Sequence, residues 1–440
     1  MSVDPRESQP NPQGSRIDPY VGSYAARAAG MVASEVRALF AVASRPEVVS
    51  LAGGMPNISA LPLDALGELA QQVVVEQGRT ALQYGSAQGD PVLRQQICEV
   101  MALEEIDASP DDVIVTVGSQ QALDLITKVF VDPGDVVLTE GPTYVTAINT
   151  FAAYQARIEH VEMDDDGVVP EALEERLAGL AREGARVKFF YTVPTFNNPA
   201  GVTLSPERRR RVLEICERFN LLVVEDNPYG LLRYEGDPVR PLRADSARNV
   251  IYLGSFSKTL SPGFRIGWAL APSAVRDKLV LAAESAMLSH SNFNQAIVGR
   301  YLATQPWPEQ IKEFNEMYRA RRDAMLASLE ALMPPGCSWT RPSGGFFVWA
   351  TLPEGLNAKA MLPRAVNERV AYVPGTGFYY GGGGQRNMRL SFCYPSPEQI
   401  REGVRRLVGV LESEIELRNT FGGVPASTGR GGEAPAPDLP

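Results

Sequence analysis

Cysteine and histidine are scarce in this chain of 440 residues, which carries only Cys98, Cys216, Cys337, Cys393, His160 and His290. No two cysteines form a CxxC pair, and neither histidine lies near a cysteine. A zinc site needs several such ligands at close spacing, so no metal and no disulfide framework is expected. Positive charge is also short: the formal net charge is −10, and a nucleic-acid partner would require a basic face. The one dense basic run, Arg208, Arg209, Arg210 and Arg211, precedes Val212, Leu213, Ile215 and Cys216 at helical spacing. It reads as the solvated side of an amphipathic helix. No apolar stretch approaches a membrane span, and residues 1–16 lack the apolar core of a signal peptide, so a cytoplasmic protein with no membrane contact is expected. Neither a GxGxxG fingerprint nor a P-loop occurs, which lowers dinucleotide and nucleotide readings.

What is present is ordinary globular composition, 44% hydrophobic and 21% charged, in a chain long enough for a large domain and a smaller companion. Residues 1–18 are rich in Pro, Ser, Asn and Gln, and residues 419–440 in Gly, Pro, Ala and Ser. Both bury too little apolar surface to offset chain entropy and are expected to be disordered tails. Between them, apolar runs at 113–117, 136–139, 189–193, 221–224 and 250–253 alternate with helical patterns, among them one from Ser119 to Phe130 and one after Ser205 and Pro206. Continuous apolar runs suit strands of a parallel sheet with helices on both faces. Ser205 suits an N-cap, with Pro206 opening the helix. From about residue 305 the alternation stops: a long helix at 308–332, strands near 344–349 and 388–392 and a last helix at 397–418 suggest a separate α+β domain. The expected division is a large α/β domain at 63–304 and a small α+β domain from 19–62 and 305–418.

Ligands of open α/β sheets sit outside the carboxyl ends of the strands, so the residues that follow each strand carry the chemistry. Gly118-Ser119-Gln120-Gln121 stands between a strand and a helix, where free N–H groups favour a phosphate; a plain serine cap fits the same residues. Asp226 and Tyr229 follow the 221–224 strand, and an acidic side chain there can pair with a protonated ring nitrogen or simply cap a loop. Asn198 lies in a turn-rich loop, Asn197-Asn198-Pro199-Ala200-Gly201, as a possible hydrogen-bond donor or as turn chemistry alone. The strongest segment runs from Gly254 to Trp268. Ser255 and Ser257 flank Lys258, and Arg265 follows; hydroxyls plus a guanidinium make a phosphate cradle. A lysine beside such a cradle is placed to form an imine with a phosphorylated aldehyde.

Ser255-Phe256-Ser257-Lys258 followed by Arg265-Ile266-Gly267 resembles the Schiff-base motif of fold-type I pyridoxal-phosphate enzymes of the class I/II aminotransferase family. Within it, the chain is similar to the α-aminoadipate and kynurenine aminotransferase group. Five motifs stand in the family's order between about Tyr24 and Leu411: residues 51–56, 118–121, 197–201, 225–229 and the lysine loop. The resemblance implies a pyridoxal 5'-phosphate cofactor bound to Lys258, which would also shuttle the substrate proton. It implies Asp226 at the ring nitrogen, Tyr229 and Asn198 at the phenolic oxygen, and Tyr144 against the ring face. Ser119, Gln120, Ser255, Ser257 and Arg265 would hold the phosphate. Tyr84 would reach the phosphate of a neighbouring subunit, which implies a homodimer with shared active sites. Arg389 would bind the substrate carboxylate, with Gly54 and Asn198 beside it. The reaction implied is ping-pong transfer of an amino group between an L-amino acid and a 2-oxo acid.

The chain departs from the family pattern at Asn227, often a second acidic residue, and at Phe196, often small and polar. Residues 375–384 are unusually rich in glycine and aromatics; an entrance loop that shapes substrate choice and a plain surface turn both fit. Arg37 sits near where the group places a side-chain-selecting arginine, yet a solvated helix arginine fits as well. The lysine loop also suits a lyase, decarboxylase or oxidase with the same cofactor, because the protein selects which Cα bond is cleaved. A non-catalytic ligand-sensing domain would need a DNA-binding module ahead of the fold, where only about twenty polar residues stand.

Overall fold

The computed structural model of the chain describes residues 18, 20–31 and 45–421. Arg37 and nearly all of the two expected tails lie outside them. The larger sheet contains β1 (Val113–Thr116), β2 (Val136–Gly141), β3 (Arg157–Asp164), β4 (Gly167–Val168), β5 (Val187–Thr192), β6 (Leu222–Asp226), β7 (Val250–Ser255) and β8 (Gly267–Leu270). Their spatial order is β1-β8-β7-β6-β5-β2-β3-β4. The run β3-β2-β5-β6-β7 is parallel, while β8 lies antiparallel between β7 and β1. The mostly parallel α/β expectation holds. Strands β1, β2, β5, β6 and β7 are buried along almost their whole length, which is why they read as unbroken apolar runs.

Helices α1 (Gly118–Phe130), α2 (Val145–Ala153) and α3 (Pro206–Arg218) connect or flank these strands, and α4 (Trp307–Leu332) and α5 (Pro397–Phe421) follow later. Ser205 caps α3 as expected, its hydroxyl accepting from the Arg208 amide. A second sheet holds β9 (Ser338–Trp339), β10 (Phe347–Thr351), β11 (Val373–Pro374) and β12 (Asn387–Ser391) in the antiparallel order β9-β10-β12-β11. Near the N-terminus, Val49 and Ser50 pair in parallel with Val370 and Ala371. The Ser391 amide donates to the Leu51 carbonyl, which seats residues 51–56 beside β12.

Three expectations need correction. Arg209 is not solvated: it is buried, and its guanidinium donates to the carbonyls of Leu204, Pro194 and Arg240 and to the Thr195 hydroxyl. It also lies 3.7 Å from the buried Glu225. The charge is tolerated because its donors are matched by oxygens. Only the neighbouring arginines of that run reach solvent. The last helix runs to Phe421 rather than 418, a difference of the size by which helix ends fray. The lysine segment is not one loop, because Gly267 and Trp268 already belong to β8.

Candidate active site

All parallel strands present their carboxyl ends at one edge of the sheet, and a cavity of about 490 Å³ opens there. Strand β1 delivers Gly118, Ser119 and Gln120; the segment after β2 delivers Tyr144; the loop after β5 delivers Asn198; β6 ends on Asp226; and β7 leads into Ser255, Ser257 and Lys258. From the second sheet comes Arg389, the central residue of β12, and from the N-terminal segment comes Gly54. Sequence distances of more than three hundred residues thus collapse into one pocket. Tyr84 stands apart from it, 76% exposed on a loop.

Lys258 Nζ donates to the Gly54 carbonyl at 2.9 Å. Burial strips water from its ammonium and lowers the pKa to about 8. Asp226 is buried, and desolvation raises its pKa to about 6 against the hydrogen bond from Tyr191 and the charge of Lys258. Its Oδ2 accepts from the Tyr191 hydroxyl at 2.8 Å, while Oδ1 is buried with no partner. An unpaired buried carboxylate oxygen is costly, and a cationic ring N–H is a fitting donor for it.

The residues expected to cradle a phosphate are brought together by close backbone approach. A Cβ on Gly267 would lie 2.5 Å from the Gly118 backbone, and one on Gly118 would lie 2.6 Å from the Arg265 guanidinium. Gly118 also has φ +70°, a region that disfavours side chains. These two glycines let the N-terminus of α1 press against β8 beside Arg265, which donates to the Val117 carbonyl at 3.0 Å. Ser255 Oγ donates to Ser257 Oγ at 2.8 Å. Ser119 is not a cap, since the residue ahead of the helix is Val117, whose amide donates to Gln121 Oε1. The cap reading fails, and the N-terminus of α1, whose first N–H groups have no intrahelical partner, lines the cavity beside two hydroxyls and a guanidinium. That arrangement fits a phosphate.

Arg389 is buried and held on three sides. Its guanidinium donates to Asn198 Oδ1 and to the Ala52 carbonyl, both at 2.8 Å, and stacks on Phe347 and Phe378 at 4.2 and 5.1 Å. Burial lowers its pKa to about 10, which still leaves it charged at neutral pH. Tyr229 is buried edge-on against Phe346 and Phe347.

Two buried polar side chains that support the site escape the sequence reading. Tyr191 sits inside an apolar strand, where only the polar tip of a buried tyrosine signals the need for a partner. Glu140 is buried and accepts from Thr192 Oγ1 (2.6 Å), the Val193 amide (2.9 Å) and Asn197 Nδ2 (2.8 Å), while burial raises its pKa to about 7. It thereby ties the end of β2 to the loop that carries Asn198. Asn227, the departure from a second acid, donates to Glu104 at 2.9 Å, so an acid from elsewhere in the chain reaches this place. Phe196, the other departure, is buried at φ +52° and packs where side chains on Gly344 and Gly345 would clash with it.

The family model for aminotransferase class I and II matches residues 46–407. The aromatic-amino-acid aminotransferase 1 of Thermococcus litoralis is 45% identical over 399 residues, 90% of this chain and 96% of that protein. The multiple substrate aminotransferase of Thermococcus profundus superposes with a TM-score of 0.87 at 43% identity, covering 91% of this chain and all of that one. The α-aminoadipate aminotransferase of Thermus thermophilus, solved with N-(5'-phosphopyridoxyl)-L-leucine, gives 0.83 at 36% identity over 90% of this chain and 99% of that one. With a cavity that fits an anionic phosphate, a cationic ring and a carboxylate, the chain belongs to the class I and II aminotransferase family and transfers amino groups with pyridoxal phosphate.

Proposed function

We propose that this enzyme acts on L-amino acids with aromatic or other large apolar side chains, with each side chain of the cavity in a defined role. The observation that carries the substrate reading is the lining: beside the polar groups already described, it includes the apolar side chains of Met55, Val145, Val193, Pro228, Pro262 and Phe347. Among the described residues that line it, the cations are Lys258, Arg265 and Arg389, and all three have other tasks. The names of the relatives, an aromatic-amino-acid aminotransferase and a multiple substrate aminotransferase, support the same class.

Pyridoxal phosphate, when bound, supplies a carbonyl for the amino group and a ring that accepts the electrons of the Cα–H bond. Lys258 would hold it covalently and, once released, carry a proton to and from Cα on its Nζ. Asp226 Oδ1 would keep the ring nitrogen protonated, Tyr229 and Asn198 would bind the phenolic oxygen, and Tyr144 would lie on the ring face. Ser119, Gln120, Ser255, Ser257 and Arg265 would bind the phosphate. Arg389 would clamp the substrate carboxylate in a bidentate pair beside Gly54 and Asn198. Asn198 Oδ1 already accepts from Arg389, which leaves its Nδ2 to donate.

We further propose a homodimer in which Tyr84 completes the partner's phosphate site. Support comes from the exposed apolar residues Leu82, Tyr84, Met287 and Leu288, which share one region because Gly85 bonds to Ser289 and Asn292 to Gln83. The four free cysteines fit a reducing, cytoplasmic compartment. Adding single amino acids to the cofactor-loaded enzyme, without a 2-oxo acid, tests the substrate reading. Phenylalanine and tyrosine should bleach the visible cofactor band faster than aspartate; bleaching by acidic amino acids alone would overturn it.

A further inference from the structure

The glycine-rich segment 375–384 is docked onto the large sheet at two points that flank Tyr379. The Thr143 amide donates to the Phe378 carbonyl at 3.1 Å. The Tyr380 amide donates to Nε2 of His160 at 2.7 Å. His160 lies on β3, and its ring meets that of Tyr379 edge-on at 5.6 Å. Nδ1 of the same ring lies 2.9 Å from the Glu140 carbonyl, which can only accept, and 2.9 Å from the Thr139 hydroxyl, which itself donates to that carbonyl. The proton therefore sits on Nδ1, and Nε2 is free to receive the loop's N–H. Burial holds the His160 pKa below its ordinary value, so the neutral ring persists at neutral pH. Gly141 leaves room for this contact, since a Cβ there would lie 3.0 Å from that of His160.

Before the docking point, Phe378 is fully buried and packs on Trp349 and on the Arg389 guanidinium. After it come Gly381, Gly382, Gly383 and Gly384, with φ of 79°, 115°, 124° and 66°, the first two with open space where a side chain would stand. Such a run cannot stiffen the loop from its own side. Gly383 and Gly384 pack against Tyr379 and Gly375, so the order of the run follows the docking of the residues before it.

We propose that His160 is a positioning residue for substrate binding, holding the strap 375–384 on the large domain so that Phe378 fixes Arg389 in its carboxylate-clamping pose. The inference rests on the assignment of Arg389 to the substrate carboxylate. Removing the acceptor loosens the strap and disorders one wall of the carboxylate site, while the cofactor groups stay untouched.

The test is steady-state kinetics of the cofactor-loaded enzyme with phenylalanine and an apolar 2-oxo acid, 4-methyl-2-oxopentanoate. His160→Phe, which keeps a ring but loses the acceptor, should raise KM for the amino acid about three- to tenfold, the size of one net hydrogen bond. Its kcat should stay within about twofold, and the visible cofactor band should be unchanged. His160→Gln, which restores an acceptor, should recover most of the affinity. If His160→Phe does not fold, His160→Leu, which also lacks the acceptor, carries the test with the same expected rise in KM. An unchanged KM overturns the proposal, as does a parallel loss of kcat and cofactor band. Arg389→Ala separates the premise: if it leaves KM unaltered, the carboxylate assignment falls; if it raises KM and the His160 variants do not, only the positioning role falls.

Discussion

A lysine ammonium in water stays charged to above pH 10; the walls around Lys258 remove its hydration and bring the pKa to about 8. If Lys258 holds the cofactor as proposed, capture of added cofactor by the cofactor-free protein needs the uncharged amine. The rate of appearance of the visible band should therefore rise about tenfold per pH unit below that value and flatten above it. A rate independent of pH between 6 and 9 would contradict the desolvation argument. In its proposed role at the ring nitrogen Asp226 poses the opposite demand, since there it would have to keep its charge. Tyr191 donates to Oδ2 and opposes the burial that raises the carboxyl pKa to about 6. Tyr191→Phe leaves that oxygen buried without a donor, at a cost of about 1–3 kcal/mol, and cofactor titration should show binding weaker by about tenfold or more. Lys258, Asp226 and Arg265 were legible because their motifs are local. Tyr191 and Glu140 were not, because each reads as an ordinary strand residue until its partner arrives from 35 or more positions away.

Elements were legible where apolar periodicity is strong. Strands β1, β2, β5, β6 and β7 and the long helices appear close to their expected places, since both faces or one stripe of each must be buried; β3, only partly buried, was not foreseen. Strand β8 was hidden inside the lysine segment, because its register is set by β1 and β7 rather than by its own four residues. Arg209 misled for a related reason: the helical stripe of α3 says which face turns inward, and one arginine of the basic run falls on it. The junction of β8 with α1 also makes a prediction. Gly267→Ala places a methyl against the Gly118 backbone, which cannot move without opening the proposed phosphate cradle. It should cost about 1–3 kcal/mol of stability, read as a lower urea midpoint. It should also weaken cofactor binding. Stability loss without weaker binding would mean that the cradle does not depend on this approach.

Across the whole molecule, the pocket joins residues 54, 226, 258 and 389, and no sequence window contains them together. What the sequence alone could not show is how tightly the second sheet closes on the first, since that depends on Asn198, Ala52 and Phe378 all meeting one guanidinium. The proposed homodimer should sediment as two chains of 47.8 kDa, and Tyr84→Ala should weaken cofactor binding while leaving the fold of each chain intact; a fully loaded, active monomer would contradict the shared site. The most direct test of the central claim uses Lys258→Ala reconstituted with pyridoxal phosphate. An aromatic amino acid should convert the visible cofactor band of the wild-type enzyme and a 2-oxo acid should restore it, whereas the variant should do neither at a comparable rate. Amino-group exchange by Lys258→Ala at the wild-type rate would contradict the account.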